Sequence, residues 1–284
     1  MKIILSRKGF DSSSGGVPSP IFPDGRMLSL PIPDRASIVK YNEITGNSWA
    51  TIGDLVEQLA GIPQTYHAHL DPDLSDCSFP RAEGWRPIFG QAGSSESHLR
   101  NQSVGLGDVF LFFGLFRRVE MQGSEWKYIR GSKPIHTIFG WLQVADRVAV
   151  SDWPTTDRWA QYHPHFARKE NPNNVLYVAA DRLRLHGKNC LGVAGAGTFH
   201  SFSPLLKLTV PDSNRPGLWS LPGWFHPGNH ASILSYHRDL SRWQRCESGV
   251  TLSSVSRGQE FVLDCEDYPE ATEWLWSILR CSSE

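Results

Sequence analysis

Four side chains able to do acid and base chemistry fall within seven residues: His67, His69, Asp71 and Asp73 alternate with Ala68, Leu70 and Pro72. In an extended chain all four would project from one side. Imidazoles beside carboxylates suit general acid and base work or a hard cation, so His69, Asp71 and Asp73 are candidate catalytic residues, with Asp11 a fourth. Asp71-Pro72-Asp73 reads equally well as an ordinary turn. His163 with His165, and His226 with His230, have ligand-like spacing, but the sequence offers no third ligand to choose. No metal set is assigned and no cofactor is named.

A second candidate is the stretch from Ser6 to Gly16. Its two cations, Arg7 and Lys8, its hydroxyls and its glycine amides can hold phosphate oxygens at the end of a strand. Ser6, Arg7, Lys8, Ser14, Gly15 and Gly16 are therefore candidate phosphate or nucleotide ligands. The stretch carries neither of the known nucleotide-loop fingerprints, and a solvated loop is the competing reading. A third candidate pairs Arg215 with Trp219, Trp224 and Phe225, after Gly195-Ala-Gly-Thr-Phe199. Aromatic faces stack on bases at about 1–3 kcal/mol each, although Trp219 and Trp224 could instead plug one end of a barrel.

These residues need elements to position them. Lys2 to Leu5 reads as a strand, and the turn Pro23-Asp24-Gly25 leads to another at Met27 to Leu30. Thr51 caps a helix from Ile52 to Ala60, with Asp54 at the capping-box position and Gly61 after its end. The clearest β signal is central: Asp108 to Phe116, Trp126 to Ile129 and Ile135 to Val144, predicted as three adjacent antiparallel strands. Val175 to Ala179, Leu205 to Val210, Val250 to Val255 and Glu260 to Leu263 are further strands, and Pro211 to Pro227 is predicted to be irregular. Asp267, with Pro269 and Glu270 behind it, starts a last helix that carries Trp274, Leu275, Ile278 and Leu279 on one face. The expectation is a single α+β domain over residues 1–284, on a curved, mainly antiparallel sheet with a few flanking helices.

Composition narrows the function classes. With 40% hydrophobic residues the chain can build a core, and at a net charge of −1 the totals show no sign of the broad basic surface of a non-specific DNA binder. Any nucleic-acid contact must be local, which favours a single flipped base or free nucleotide over a long duplex footprint. Five scattered cysteines without a Cys-x-x-Cys pair fit reduced thiols and a cytoplasmic location. There is no signal-peptide core and no apolar run of membrane-spanning length. No nucleophile elbow occurs.

The opening MKIILSRKGFDSSSGG, then PSPIFPDGRMLSLPIP, HLDPDL, GAGTF and WSLPGWF, resembles the third class of nucleotide-modification-associated domains. The resemblance spans most of the chain and implies DNA base or nucleotide hypermodification, in a bacterial or phage setting, with a nucleotide or DNA base as ligand. DNA itself and other modification enzymes are further partners it allows. A looser similarity links Gly107 to Gly114 and His136 to Val144 with PUA-like barrels of the EVE and ASCH groups, implying an open barrel core around 105–210. Three readings stay open: a base- or nucleotide-modifying transferase, a reader that holds a modified base unchanged, and an accessory subunit of a modification complex.

Overall fold

The computed structural model describes residues 1–46, 50–171, 173–185, 188–228, 230, 232–256, 258 and 260–280. In chain order its strands are β1 (Lys2–Arg7), β2 (Ser19–Ile21), β3 (Ile88–Gln91), β4 (Val109–Gln122), β5 (Glu125–Tyr128), β6 (Ile135–Ala149), β7 (Val175–Ala179), β8 (Arg182–Leu185), β9 (Lys188–Ala194), β10 (Ala196–Thr198), β11 (Leu218–Leu221), β12 (Trp243–Cys246), β13 (Gly249–Ser253) and β14 (Glu260–Asp264). The helices are α1 (Ile52–Ala60), α2 (Gly93–Asn101) and α3 (Glu270–Arg280). None is long and apolar enough to cross a membrane.

Nine strands make one sheet with the path β14-β1-β4-β6-β7-β3, while β2 and β5 pair with β4 and β10 pairs with β6. The architecture is α+β, and the sheet is mixed and mostly antiparallel: only β1 and β2 run parallel to β4. It does not close into a barrel, because the path ends at β14 and β3. The continuous apolar run from Val109 to Phe116 explains why β4 is central. Alternation would leave one face to water, whereas this strand is buried on both faces through Phe113. The main core gathers Ile3, Ile4 and Leu5 of β1, Phe110, Phe112 and Phe113 of β4, and Leu275, Ile278 and Leu279 of α3. A second cluster joins Leu55 and Val56 of α1 to Phe22, Tyr41, Val119 and Trp126.

Several expectations are corrected. Met27 to Leu30 forms no strand; Met27 makes only an isolated bridge to Ile21. Leu205 to Val210 begins as a 3-10 turn, Pro204–Leu206, and then makes single bridges through Lys207 and Thr209. The stretch expected to be irregular contains β11, which pairs with β13 in a separate three-stranded sheet. α3 starts at Glu270, and the Asp267 carboxylate accepts the Ser232 amide at 3.1 Å instead of capping it. Cys77, Cys190, Cys246 and Cys265 are free thiols; Cys281 lies outside the described residues.

Candidate functional site

The alternating stretch does not run as a strand. The Asp71 amide donates to the His69 carbonyl at 2.8 Å, a tight turn that brings these two side chains together and sends Asp73 elsewhere. The His69 amide is held by the Ile32 carbonyl at 2.8 Å, and Asp73 exchanges two backbone bonds with Ile88 at the start of β3. Asp71 is thereby pressed against β3, where the Gly90 amide donates to its Oδ1 at 2.8 Å.

Around this carboxylate stand three imidazoles. Nε2 of His69 and of His165 each lie 3.6 Å from Asp71 Oδ2, and Nε2 of His163 lies 3.3 Å from Oδ1. His163 and His165 flank the start of a 3-10 helix, Pro164–Arg168, which the Asn174 side-chain amide fastens through the carbonyls of His165 and Arg168 at 2.8 and 2.9 Å. The far side of His69 is held as firmly. Its Nδ1 lies 2.7 Å from Asp34 Oδ2, and Arg168 grips Asp34 with two bonds of 2.8 and 2.7 Å. Among the described residues, one donor atom each from His69, Asp71 and His165 makes the one set of three spaced to hold a metal ion, within 4.8 Å of one another. Of the histidine pair that the sequence offered without a third ligand, His165 belongs to this set and His163 does not.

Electrostatics follows from this packing. Burial opposes ionisation of Asp71, but the imidazoles of His163, His165 and His69 outweigh it and hold the carboxyl well below the usual carboxylate range. Asp34 is depressed likewise, burial being overcome by His69 and Arg168. Burial works against charge on His69, yet Asp34 and Asp71 prevail and raise its pKa; at His163 burial prevails and lowers it.

Beside this cluster lies a cavity of about 440 Å³ whose wall includes Asp71, Pro72 and Asp73. Met27, Leu28, Phe139 and Phe199 give it apolar surface, and Ser29, Thr45, Ser75 and Ser78 line it with hydroxyl-bearing residues. Gly197 in β10 is where a side chain would strike the Trp141 ring, at 2.7 Å, so the glycine lets β10 lie close enough to carry Thr198 and Phe199 into the wall.

The other candidates are scattered. Asp73 is fully engaged: Arg81 clamps it with bonds of 2.6 and 2.7 Å and the Tyr162 hydroxyl donates to it. Asp11 closes its own turn, accepting from the Ser13 and Ser14 amides at 2.8 and 2.9 Å. Ser6 is fully buried and the Lys8 ammonium is bound to the buried Glu260 at 2.9 Å, so neither is presented as a phosphate ligand. Arg7 reaches the Ser256 carbonyl at 3.0 Å, while Ser14, Gly15 and Gly16 stay in the Asp11 turn and a Cβ on Gly15 would meet the Phe10 ring at 2.4 Å. Arg215 contacts Ser253 on the surface. Trp219, expected to stack on a base, has no exposed face; it packs on Phe113 and donates to His136 Nδ1 at 3.0 Å. Asp34, Gly90, His163, His165, Arg168 and Asn174 were not legible as site residues beyond the spacing of the two histidines.

An open, mostly antiparallel sheet with a mainly apolar pocket against a buried histidine and carboxylate cluster defines a β-rich α+β protein. The chain belongs to the nucleotide modification associated domain 3 family, whose model matches residues 2–264, and the family implies a role in nucleotide modification. No curated protein and no solved structure matches it significantly.

Proposed function

We propose that the chain modifies a nucleobase or nucleotide bound in this pocket, with Asp71 and its imidazoles at the reactive edge. One observation carries the reading. Residues from the stretches on which the family resemblance rests, 18–33, 69–74 and 195–199, are far apart in sequence and meet in the lining of one cavity. Its wall continues into Asp71. The volume of about 440 Å³ is in the range of small-molecule sites. Phe139 and Phe199 suit the flat surface of a heterocycle and the hydroxyl residues suit its polar edge. An imidazole beside an ionised carboxylate can take up and return protons, and His69, with 16% of its side chain exposed, is the ring of the three most open to solvent.

A phosphate-bearing ligand finds cations next door. Arg117, Arg118, Lys133 and Lys207 line a groove with Ile21 and Phe202. The isolated bridges Ile21–Met27 and Arg26–Ser201 join this groove to the pocket wall. That local charge suits a nucleotide or one flipped base of DNA in a chain whose net charge is −1.

The test incubates the full chain with ordinary and modified nucleosides, nucleotides and short DNA, and follows binding by native mass spectrometry and conversion by ligand mass. Ser29→Phe, which fills the pocket, should abolish binding, and Asp71→Asn should retain binding and lose conversion. Binding that ignores Ser29→Phe would remove the pocket from the proposal. The reader is the second reading, favoured by the closure of Asp71, whose side chain is 3% exposed; a bound ligand recovered at unchanged mass after long incubation selects it.

A further inference from the structure

The spacing from His69 and His165 to Asp71 is long for hydrogen bonds. A charge-assisted imidazole–carboxylate bond closes to about 2.7–2.9 Å, and His69 makes one such bond to Asp34 at 2.7 Å. Toward Asp71 the same ring stops at 3.6 Å, as does His165. For ligands bound at about 2.0–2.1 Å, tetrahedral geometry puts neighbouring ligand atoms about 3.3–3.4 Å apart, close to the 3.6 Å from Asp71 Oδ2 to each ring, and all three atoms lie within 4.8 Å of one another.

The proton positions point the same way. The Asp34 carboxylate can only accept, so His69 carries its proton on Nδ1 and, when neutral, turns the Nε2 lone pair toward Asp71. The Asn174 amide nitrogen donates to two carbonyls, which leaves its oxygen facing His165 Nδ1 and turns that ring's Nε2 lone pair inward as well. Two lone pairs aimed at an ionised carboxylate repel it unless a cation lies between them. An outer partner on each ring's far nitrogen is also how metal-binding histidines are held. His163 differs: its Nδ1 faces the His165 amide at 3.5 Å, which leaves the proton on Nε2, toward Asp71 Oδ1. It has the wrong tautomer for a ligand and lies beside the site.

We propose that His69 Nε2, Asp71 Oδ2 and His165 Nε2 together bind one first-row divalent transition metal ion, such as zinc or iron(II). Two imidazoles and one carboxylate suit these ions, leave further coordination positions, and disfavour calcium and magnesium, which take mostly oxygen ligands. The site stands on these donors alone, whatever ligand the neighbouring pocket takes.

The test uses the untagged full chain, stripped with a chelator and titrated with zinc by calorimetry and with cobalt(II) by absorption. One equivalent should bind, and His69→Gln and His165→Gln should each weaken binding more than about a hundredfold. Asp34→Asn should weaken it about 10–100-fold through its grip on His69. His226→Ala, on the surface away from the cluster, should change nothing. Absence of a one-equivalent site, or full affinity in the two glutamine variants, overturns the proposal. If those variants fail to fold, the cobalt spectrum of the unaltered chain decides: nitrogen and oxygen ligation supports the site, and a thiolate charge-transfer band places the metal elsewhere.

Discussion

Arg81 shows how a residue near the site can matter without acting in it. Its guanidinium neutralises Asp73, whose side chain is 1% exposed, and stacks over the Trp85 ring 4.0 Å from its centroid. Removing one partner of a buried pair leaves the other charge unpaired, at a cost of about 3–5 kcal/mol. Arg81→Ala should lose that much stability in urea unfolding, and Arg81→Ala combined with Asp73→Asn should recover part of it; an unchanged midpoint in the single variant would mean that water replaces the pair. At this scale the sequence was half legible. The alternation of His67, His69, Asp71 and Asp73 marked the right seven residues, but the turn closed by the Asp71 amide separates Asp73 from the cluster. Nothing in the neighbourhood of His69 announced Asp34 or Arg168, because their pairing spans 134 residues and depends on two loops meeting.

Elements governed by local chemistry were readable, and those governed by distant partners were not. The limits of α1 follow from its own ends: Thr51 Oγ1 accepts the Asp54 amide at 3.0 Å, and Gly61 takes a left-handed φ of 67°. β11 escaped notice among its prolines and glycines because its reason for being a strand is β13, whose Leu252 stands opposite Trp219. β3 is the element on which the site depends most. Its Gly90 amide binds Asp71, and a Cβ at Gly90 would stand 2.4 Å from the His165 ring. Since Asn174 pins that ring from the other side, Gly90→Ala must tilt it or push β3 away from β7. We expect a loss of about 1–3 kcal/mol from overpacking, together with lost conversion in the ligand panel. Wild-type melting and conversion in Gly90→Ala would show that the ring and strand have room to separate.

For the whole molecule, the apolar run of β4 and an open, mainly antiparallel sheet were legible, but the parallel pairing of β1 and β2 with β4 was not, since that rests on strands distant in sequence meeting. What the assembled core imposes is a response to acid. His237 donates from Nδ1 to the Ser235 carbonyl at 2.9 Å and accepts the Val255 amide on Nε2 at 3.2 Å; His136 accepts the Trp219 indole on Nδ1. Each uses a ring nitrogen as a buried acceptor, so protonation would set two donors face to face. Burial, aided at His136 by Arg7 and at His237 by Arg242, pushes both down to about 4. Between pH 6.5 and 4 the unfolded chain therefore binds protons at these positions that the native protein refuses, and stability present above pH 6.5 is lost as pH falls. The loss is about 2 kcal/mol per histidine by pH 5. His98, depressed by burial, adds in the same direction. His69, whose pKa is raised, is protonated in both states at the acid end and acts mainly above this window, while Asp34 and Asp71, held low, withdraw their stabilisation only at more acid pH. Melting temperature should thus fall steeply from pH 6.5 to 5. His237→Gln, which keeps a donor and an acceptor without a titrating group, should flatten that slope even if it lowers the plateau; the same slope in this variant would assign the acid response to other groups.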